Sequence, residues 1–111
     1  MKKNVLIIGG GGVAQVVAHK CAQHNDILGD IAIASRTKSK CDAIIDSIHE
    51  KGAMKVDGKL TAHALDAMDT AATVALINAT GSEIVLNVGS AFVNMSVLEA
   101  CIETGVAYLD T

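Results

Sequence analysis

Aromatic side chains are almost missing from this chain: Phe92 and Tyr108 are the only two in 111 residues, and there is no tryptophan. Without aromatic platforms, and with its basic residues interspersed among acids at a net charge of −3, the chain offers no nucleic-acid surface, and none is expected. Long apolar runs are lacking too; the stretches present are far too short to span a bilayer, so no membrane association is expected. Lys2 and Lys3 lead into Val5–Ile8 only, and glycines then end the run, which does not read as a secretory signal. Cysteine is sparse: Cys21, Cys41 and Cys101 are odd in number and widely spaced. Each falls on an apolar helical stripe, where a free thiol acts as a small hydrophobe. His19, His24, His49 and His63 are scattered, without the clustering a zinc site needs. These absences together read as a reduced, cytoplasmic, metal-free protein.

What is present is small and apolar. Half the residues are hydrophobic, most of them alanine, valine, isoleucine and leucine, which suits a parallel sheet covered by helices on both faces. At this length the chain is read as one domain, residues 1–111, with no repeat or linker. Its most telling junction is Val5-Leu6-Ile7-Ile8 running straight into Gly9-Gly10-Gly11-Gly12-Val13-Ala14. A strand that stops at glycines and turns into a helix lets backbone approach a dinucleotide pyrophosphate, with the helix-start N–H groups facing the anion. Two registers of G-x-G-x-x-G/A fit the four glycines. Starting at Gly9 places Gly9, Gly11 and Ala14 at the key positions; starting at Gly10 would put Gln15 where helix and strand must pack closely, so the first is preferred. Ala14, Val17, Ala18 and Cys21 then share one face of the helix.

Strand and helix alternate along the rest. Val5–Ile8 is read as the first strand, Gly12–His24 as a helix, Asp30–Ser35 as the second strand. A second helix carries Cys41, Ile44, Ile45 and Ile48, capped by Ser39 with Asp42 and ended by Gly52. Gly52–Lys59 is a polar loop, Leu60, Ala62 and Ala64 mark the third strand, and Thr70–Thr80 a helix closed by Gly81. Ile84–Val88 is a fourth strand, buried apart from Asn87; Ser96 with Glu99 caps a helix ending at Gly105; Val106–Leu109 is the fifth strand. Right-handed crossovers then give an α/β, Rossmann-type doubly wound parallel sheet of five strands in the order 3-2-1-4-5. Its fifth strand offers a free edge, so self-association is expected.

Ligands of such sheets sit beyond the carboxyl ends of the strands. That rule nominates the glycine turn, Ser35-Arg36-Thr37, Leu65-Asp66-Ala67, Gly89-Ser90-Ala91 and Asp110-Thr111. Sites for the unphosphorylated dinucleotide carry an acid about 20 residues past the glycines, to take the ribose 2′-hydroxyl. Here Ser35-Arg36-Thr37 stands instead, and the nearest upstream acid, Asp30, starts its strand at the wrong edge. Arg36 can pair with a 2′-phosphate and stack on adenine, Ser35 and Thr37 can donate to its oxygens, and Lys40 adds charge one turn on. Arg36, Lys38 and Lys40 oppose the dipole of the helix they open, which a bound anion would explain. The expected cofactor is NADP(H).

These segments, with Asn87-Val88-Gly89-Ser90-Ala91-Phe92 and Leu98–Thr111, resemble the saccharopine dehydrogenase family along essentially the whole chain. Gly10 departs from the alanine of many relatives, which should loosen the turn without altering the fold. The resemblance implies that Gly9, Gly11, Gly12, Val13 and Ala14 cradle the pyrophosphate and that Ser35, Arg36 and Thr37 hold the 2′-phosphate. It further implies Asp66 and Ala67 beside the adenine, and Val88, Gly89, Ser90 and Ala91 along the nicotinamide ribose. The branch most resembled implies a reductive condensation: a diamine and aspartate β-semialdehyde form an imine that NADPH reduces. Family members continue into a substrate domain, so the chain is expected to be an N-terminal piece of the enzyme. No catalytic residue is assigned; Asp110 either faces the substrate cleft or simply ends a strand.

Other chemistries fit less well. Short-chain dehydrogenase catalysis needs a tyrosine with a lysine four residues on, and Tyr108 has none. A P-loop needs Lys-Ser/Thr where Val13-Ala14 stands. The cysteines read as core and His63 as structural or half-exposed. A free-standing NADP(H)-binding or sensing module remains the alternative from another class.

Overall fold

The computed structural model describes residues 2–110. The elements run β1 (Lys3–Ile8), α1 (Gly12–Gln23), β2 (Leu28–Ser35), α2 (Lys38–Glu50), β3 (Leu60–Ala64), α3 (Thr70–Thr80), β4 (Ile84–Asn87), α4 (Asn94–Thr104) and β5 (Ala107–Asp110). A short 3-10 turn, Ala91–Val93, leads into α4. The strands form one sheet in the order β3-β2-β1-β4-β5, parallel at every pairing. This is the doubly wound arrangement read from the alternation of elements.

The central strand is apolar on both faces because both are covered. Val5 and Ile7 pack into one core with Ala14, Ala18 and Ala22 of α1 and Cys41, Ile44 and Ile48 of α2. Leu6 and Ile8 pack into the other, with Ile77 of α3 and Val97, Ala100 and Cys101 of α4. Leu6 and Ile7 are wholly buried; truncating such a side chain to alanine costs about 2–5 kcal/mol. Alanines on α1 are what let the helix lie close to the strands, so the start of α1 stands directly over the end of β1.

Several local expectations are corrected. The second helix begins at Lys38, not at a Ser39 cap, and its N-cap Thr37 makes no side-chain capping bond. Ser35 Oγ instead accepts the Thr37 N–H at 3.2 Å, which turns the chain earlier, and Asp42 is taken up by Lys38 Nζ at 3.3 Å. The fourth helix likewise starts at Asn94, because Ser90 Oγ accepts the Phe92 N–H and the turn after it feeds the helix. Ser96, released from capping, donates its hydroxyl to Ala67 O at 2.6 Å. Asn87 is not exposed but buried, while Ile84, Leu86 and Val88 are only half-buried. Helices α1 and α2 contact β1, β2 and β3 on their face of the sheet, where Ile84 and Leu86 of β4 pack against the same core only partly buried, and α4 contacts β4 and β5 on the other face.

The cysteines are core residues: Cys21, Cys41 and Cys101 are free and buried. Burial pushes the Cys101 thiol up to about 11 and raises that of Cys21 as well. A thiol protonated at neutral pH is a poor nucleophile. Folded protein at pH 8 is therefore expected to take up iodoacetamide at Cys101 far more slowly than denatured protein, as intact mass spectrometry over time will report.

Candidate functional site

A cleft of about 480 Å³ opens where the carboxyl ends of β1, β2, β3 and β4 converge. Its floor is Ile8, Gly9 and Gly10; one wall is Ser35, Arg36, Thr37 and Lys40, another Leu65, Ala67 and Met68, and the far rim Gly89, Ser90, Phe92 and Val93. A depression of about 300 Å³ shares Gly10 and Lys40 with it and runs past Gly11, Gly12 and Gln15 at the start of α1.

The glycine turn is shaped by contact on one side and by open space on the other. Gly9 has φ +141°, a conformation that L side chains rarely adopt, and a Cβ there would lie 3.2 Å from Gly89 N and 3.3 Å from Val88 C. Gly9 N–H donates to Ala34 O at 2.8 Å and Val88 N–H to Ile8 O at 3.0 Å, so Gly9 ties the turn to the end of β2 while the neighbouring Ile8 carbonyl ties it to the residue after β4. A Cβ on Gly10 would crowd Ser35 Oγ at 3.0 Å and Lys40 Cβ at 3.1 Å. Around Gly11 and Gly12, by contrast, an added Cβ meets nothing within 4 Å. Gly11 is the N-cap of α1, no side chain caps it, and the first turn holds no acid. The N–H groups of Gly12, Val13 and Ala14 thus lack partners within the helix and present its positive end. An open, uncapped helix start bounded by glycine fits a diphosphate.

The β2–α2 wall is cationic. Arg36 Nη2 lies 3.7 Å from Asp66 Oδ1, with both side chains largely exposed, and Asp66 Oδ1 also accepts the Met68 N–H at 3.1 Å. Lys40 borders both hollows, whereas Lys38 is paired with Asp42. Ser35 lines the cleft but its hydroxyl donates to Thr37 O at 2.9 Å, so its proton serves the turn. That leaves the Arg36, Thr37 and Lys40 side chains as the donors this wall can offer an anion.

At the opposite rim, Asn87 shapes the turn after β4. Its Nδ2 donates to Asn94 Oδ1 at 2.7 Å, and its Oδ1 accepts the Gly89 N–H at 3.3 Å. Val88 turns its side chain into the core beneath Gly9. Of the other residues singled out in the sequence, Ala14 is buried under the turn and the Val13 side chain is exposed. Ala91 opens the 3-10 turn without lining the cleft. Asp110 does not reach it either: it accepts the Tyr108 hydroxyl at 2.8 Å. Thr111 lies outside the described residues. Met68, Phe92 and Val93 line the cleft although the strand-end rule does not nominate them. Phe92, 91 % exposed, carried a signal in being one of only two aromatics, set just past a nominated strand end. His63 is half-buried away from the cleft, sharing a hydrogen bond of 2.9 Å with Thr61 Oγ1. Burial and the nearby Lys38 charge lower its pKa.

Among the described residues no cluster of side chains could hold a metal ion, and no helix is long and apolar enough to cross a membrane.

Known proteins match both the fold and the sequence. A short-chain oxidoreductase from Pseudomonas aeruginosa PAO1 superposes with a TM-score of 0.73 over 97 % of this chain and 52 % of its own, at 12 % identity. Levodione reductase gives 0.70 over 97 % and 53 %, at 17 % identity; at such identities the likeness establishes the fold alone. Sequence relatives are much nearer. Carboxynorspermidine synthase of Vibrio alginolyticus is 53 % identical over 96 % of this chain, and that of Vibrio cholerae 49 % over 97 %. Carboxyaminopropylagmatine dehydrogenase of Synechocystis is 46 % identical over 96 %. The chain spans about a quarter of the length of these relatives, 26 % of the first. Residues 5–111 match the saccharopine dehydrogenase NADP-binding domain. The chain therefore belongs to the saccharopine dehydrogenase family, in which it is an NADP(H)-binding domain.

Proposed function

We propose that this chain is the N-terminal cofactor domain of an NADPH-dependent oxidoreductase of polyamine synthesis. Its substrate is the imine formed, with loss of water, from aspartate β-semialdehyde and a diamine. The observation that carries this reading is the identity of about half the residues to two carboxynorspermidine synthases across nearly the entire chain. NADPH when bound supplies a hydride to the imine carbon, and a proton added at nitrogen completes the secondary amine.

In this reading, Gly9, Gly11, Gly12, Val13 and Ala14 cradle the pyrophosphate. Arg36, Thr37 and Lys40, on the turn that Ser35 shapes, hold the 2′-phosphate. Asp66 and Ala67 flank the adenine, and Val88, Gly89, Ser90 and Ala91 border the nicotinamide ribose. The general acid and the amine pocket are assigned to the remaining three quarters of the enzyme's length, and the protein to the cytoplasm. Among the described residues β5 is an outer strand that pairs with β4, and such a strand supports self-association through its outer edge.

A second amine class follows from the third relative, whose name points to an agmatine-derived product at 46 % identity. Full-length protein supplied with aspartate β-semialdehyde, NADPH and either a diamine or agmatine is expected to oxidise NADPH only when aldehyde and amine are both present. The faster amine identifies the class. Equal oxidation without any amine would overturn the imine reading.

A further inference from the structure

One charge beside the cleft works against the cofactor it receives. Arg36 and Lys40 supply two positive charges on the β2–α2 wall, and Asp66, which does not itself line the cleft, sets a negative one 3.7 Å from Arg36. The Met68 N–H holds the Asp66 carboxylate by its Oδ1 at 3.1 Å, on a turn that the Asp69 N–H closes by donating to the Asp66 backbone carbonyl at 2.9 Å. At 3.7 Å the pair is beyond hydrogen-bond length, and exposed pairs of this kind bind each other weakly. Arg36 is thus left able to take a second partner with its remaining N–H donors. A 2′-phosphate on Arg36 brings close to two negative charges towards a carboxylate that stays in place.

We propose that Asp66 is a specificity-setting residue that shares Arg36 with the 2′-phosphate and so limits the preference for NADPH over NADH. The consequence is a site that selects the phosphorylated cofactor yet releases it readily after hydride transfer, since the product carries the same 2′-phosphate. The inference rests on the reading that Arg36 holds this phosphate.

Asp66→Asn tests it, because the amide oxygen can still accept the Met68 N–H while the charge is gone. In the full-length protein, the ratio of NADH to NADPH dissociation constants is expected to rise about three- to tenfold, through tighter NADPH binding. The gain should shrink as salt is raised. It should vanish when Arg36→Ala is combined with Asp66→Asn. An unchanged or lower ratio in Asp66→Asn, with Arg36→Ala alone still lowering it, would overturn the role of Asp66 and leave the phosphate reading standing. A ratio unmoved by Arg36→Ala would remove the phosphate reading itself. Asp66→Ser repeats the test without an amide, and agreement of its ratio with that of Asp66→Asn separates lost charge from an altered turn.

Discussion

Arg36→Asp is expected to weaken NADPH binding by about 3–4 kcal/mol, two to three orders of magnitude, while NADH binding changes by less than about threefold. The substitution removes a charge-assisted partner of the 2′-phosphate and installs a repelling one at the same place. The new carboxylate would also face Asp66, now 3.7 Å from the guanidinium, and two acids would guard the position where the phosphate must sit. NADH presents only a hydroxyl there, to which a carboxylate is indifferent or mildly attractive. Stability should barely move, since the Arg36 side chain is 76 % exposed and an exposed ion pair contributes little. Titration of variant and wild type with both nucleotides measures the effect. Equal losses for NADPH and NADH would show that Arg36 does not read the 2′-phosphate. Three cations at the start of a helix looked in need of an anion, but Lys38 already has Asp42, and only Arg36 and Lys40 remain for a ligand.

The fold was legible because its signals are local and periodic. Gly81 and Gly105, at φ +63° and +74°, end α3 and α4 where glycine after an apolar stripe says they should. The strand order followed from alternation and crossover handedness. The errors arose where a side chain answers to a partner distant in sequence. Ser96 carries the signature of a helix cap, yet its hydroxyl goes to Ala67 O, 29 residues away, tying the β3–α3 loop to α4. Asn87 looks like the polar break in an apolar strand, yet it is 2 % exposed, because Asn94 and Gly89 satisfy its amide. Asn25 shows the same thing outside the site. It is buried and clamps the 52–59 loop, accepting from Lys55 N and Val56 N and donating to Val56 O. Nothing near Asn25 in the sequence announces a partner some 30 residues on. The candidate site divides in the same way. Its glycines and cations sit at strand ends and were readable; the Asp66–Arg36 pair, which joins two loops, was not.

The two outer glycines of the G-x-G pair are expected to fail differently when each is replaced by alanine. Gly9→Ala should cost about 2–4 kcal/mol of stability. Its φ of +141° strains any L residue, and the added Cβ presses on backbone atoms of Val88 and Gly89, which cannot yield as a flexible side chain would. The ends of β1 and β4 must then part, so cofactor binding falls along with the fold. Gly11→Ala meets no such obstacle: φ is −91° and the surrounding 4 Å are empty. It should cost less than about 1 kcal/mol, the modest preference of an N-cap for glycine over alanine. Its methyl group would instead occupy the space through which a pyrophosphate approaches the helix-start amides, and affinity should drop about 100-fold. Because NADPH and NADH share the pyrophosphate, both should lose equally, the opposite of the pattern at Arg36. Denaturant titration and nucleotide binding on the same two variants separate the roles: Gly9 holds the strands in place, and Gly11 keeps room for the ligand. Were Gly11→Ala to bind both nucleotides normally, the register beginning at Gly9 would be wrong, and the pyrophosphate would have to approach the helix by another path.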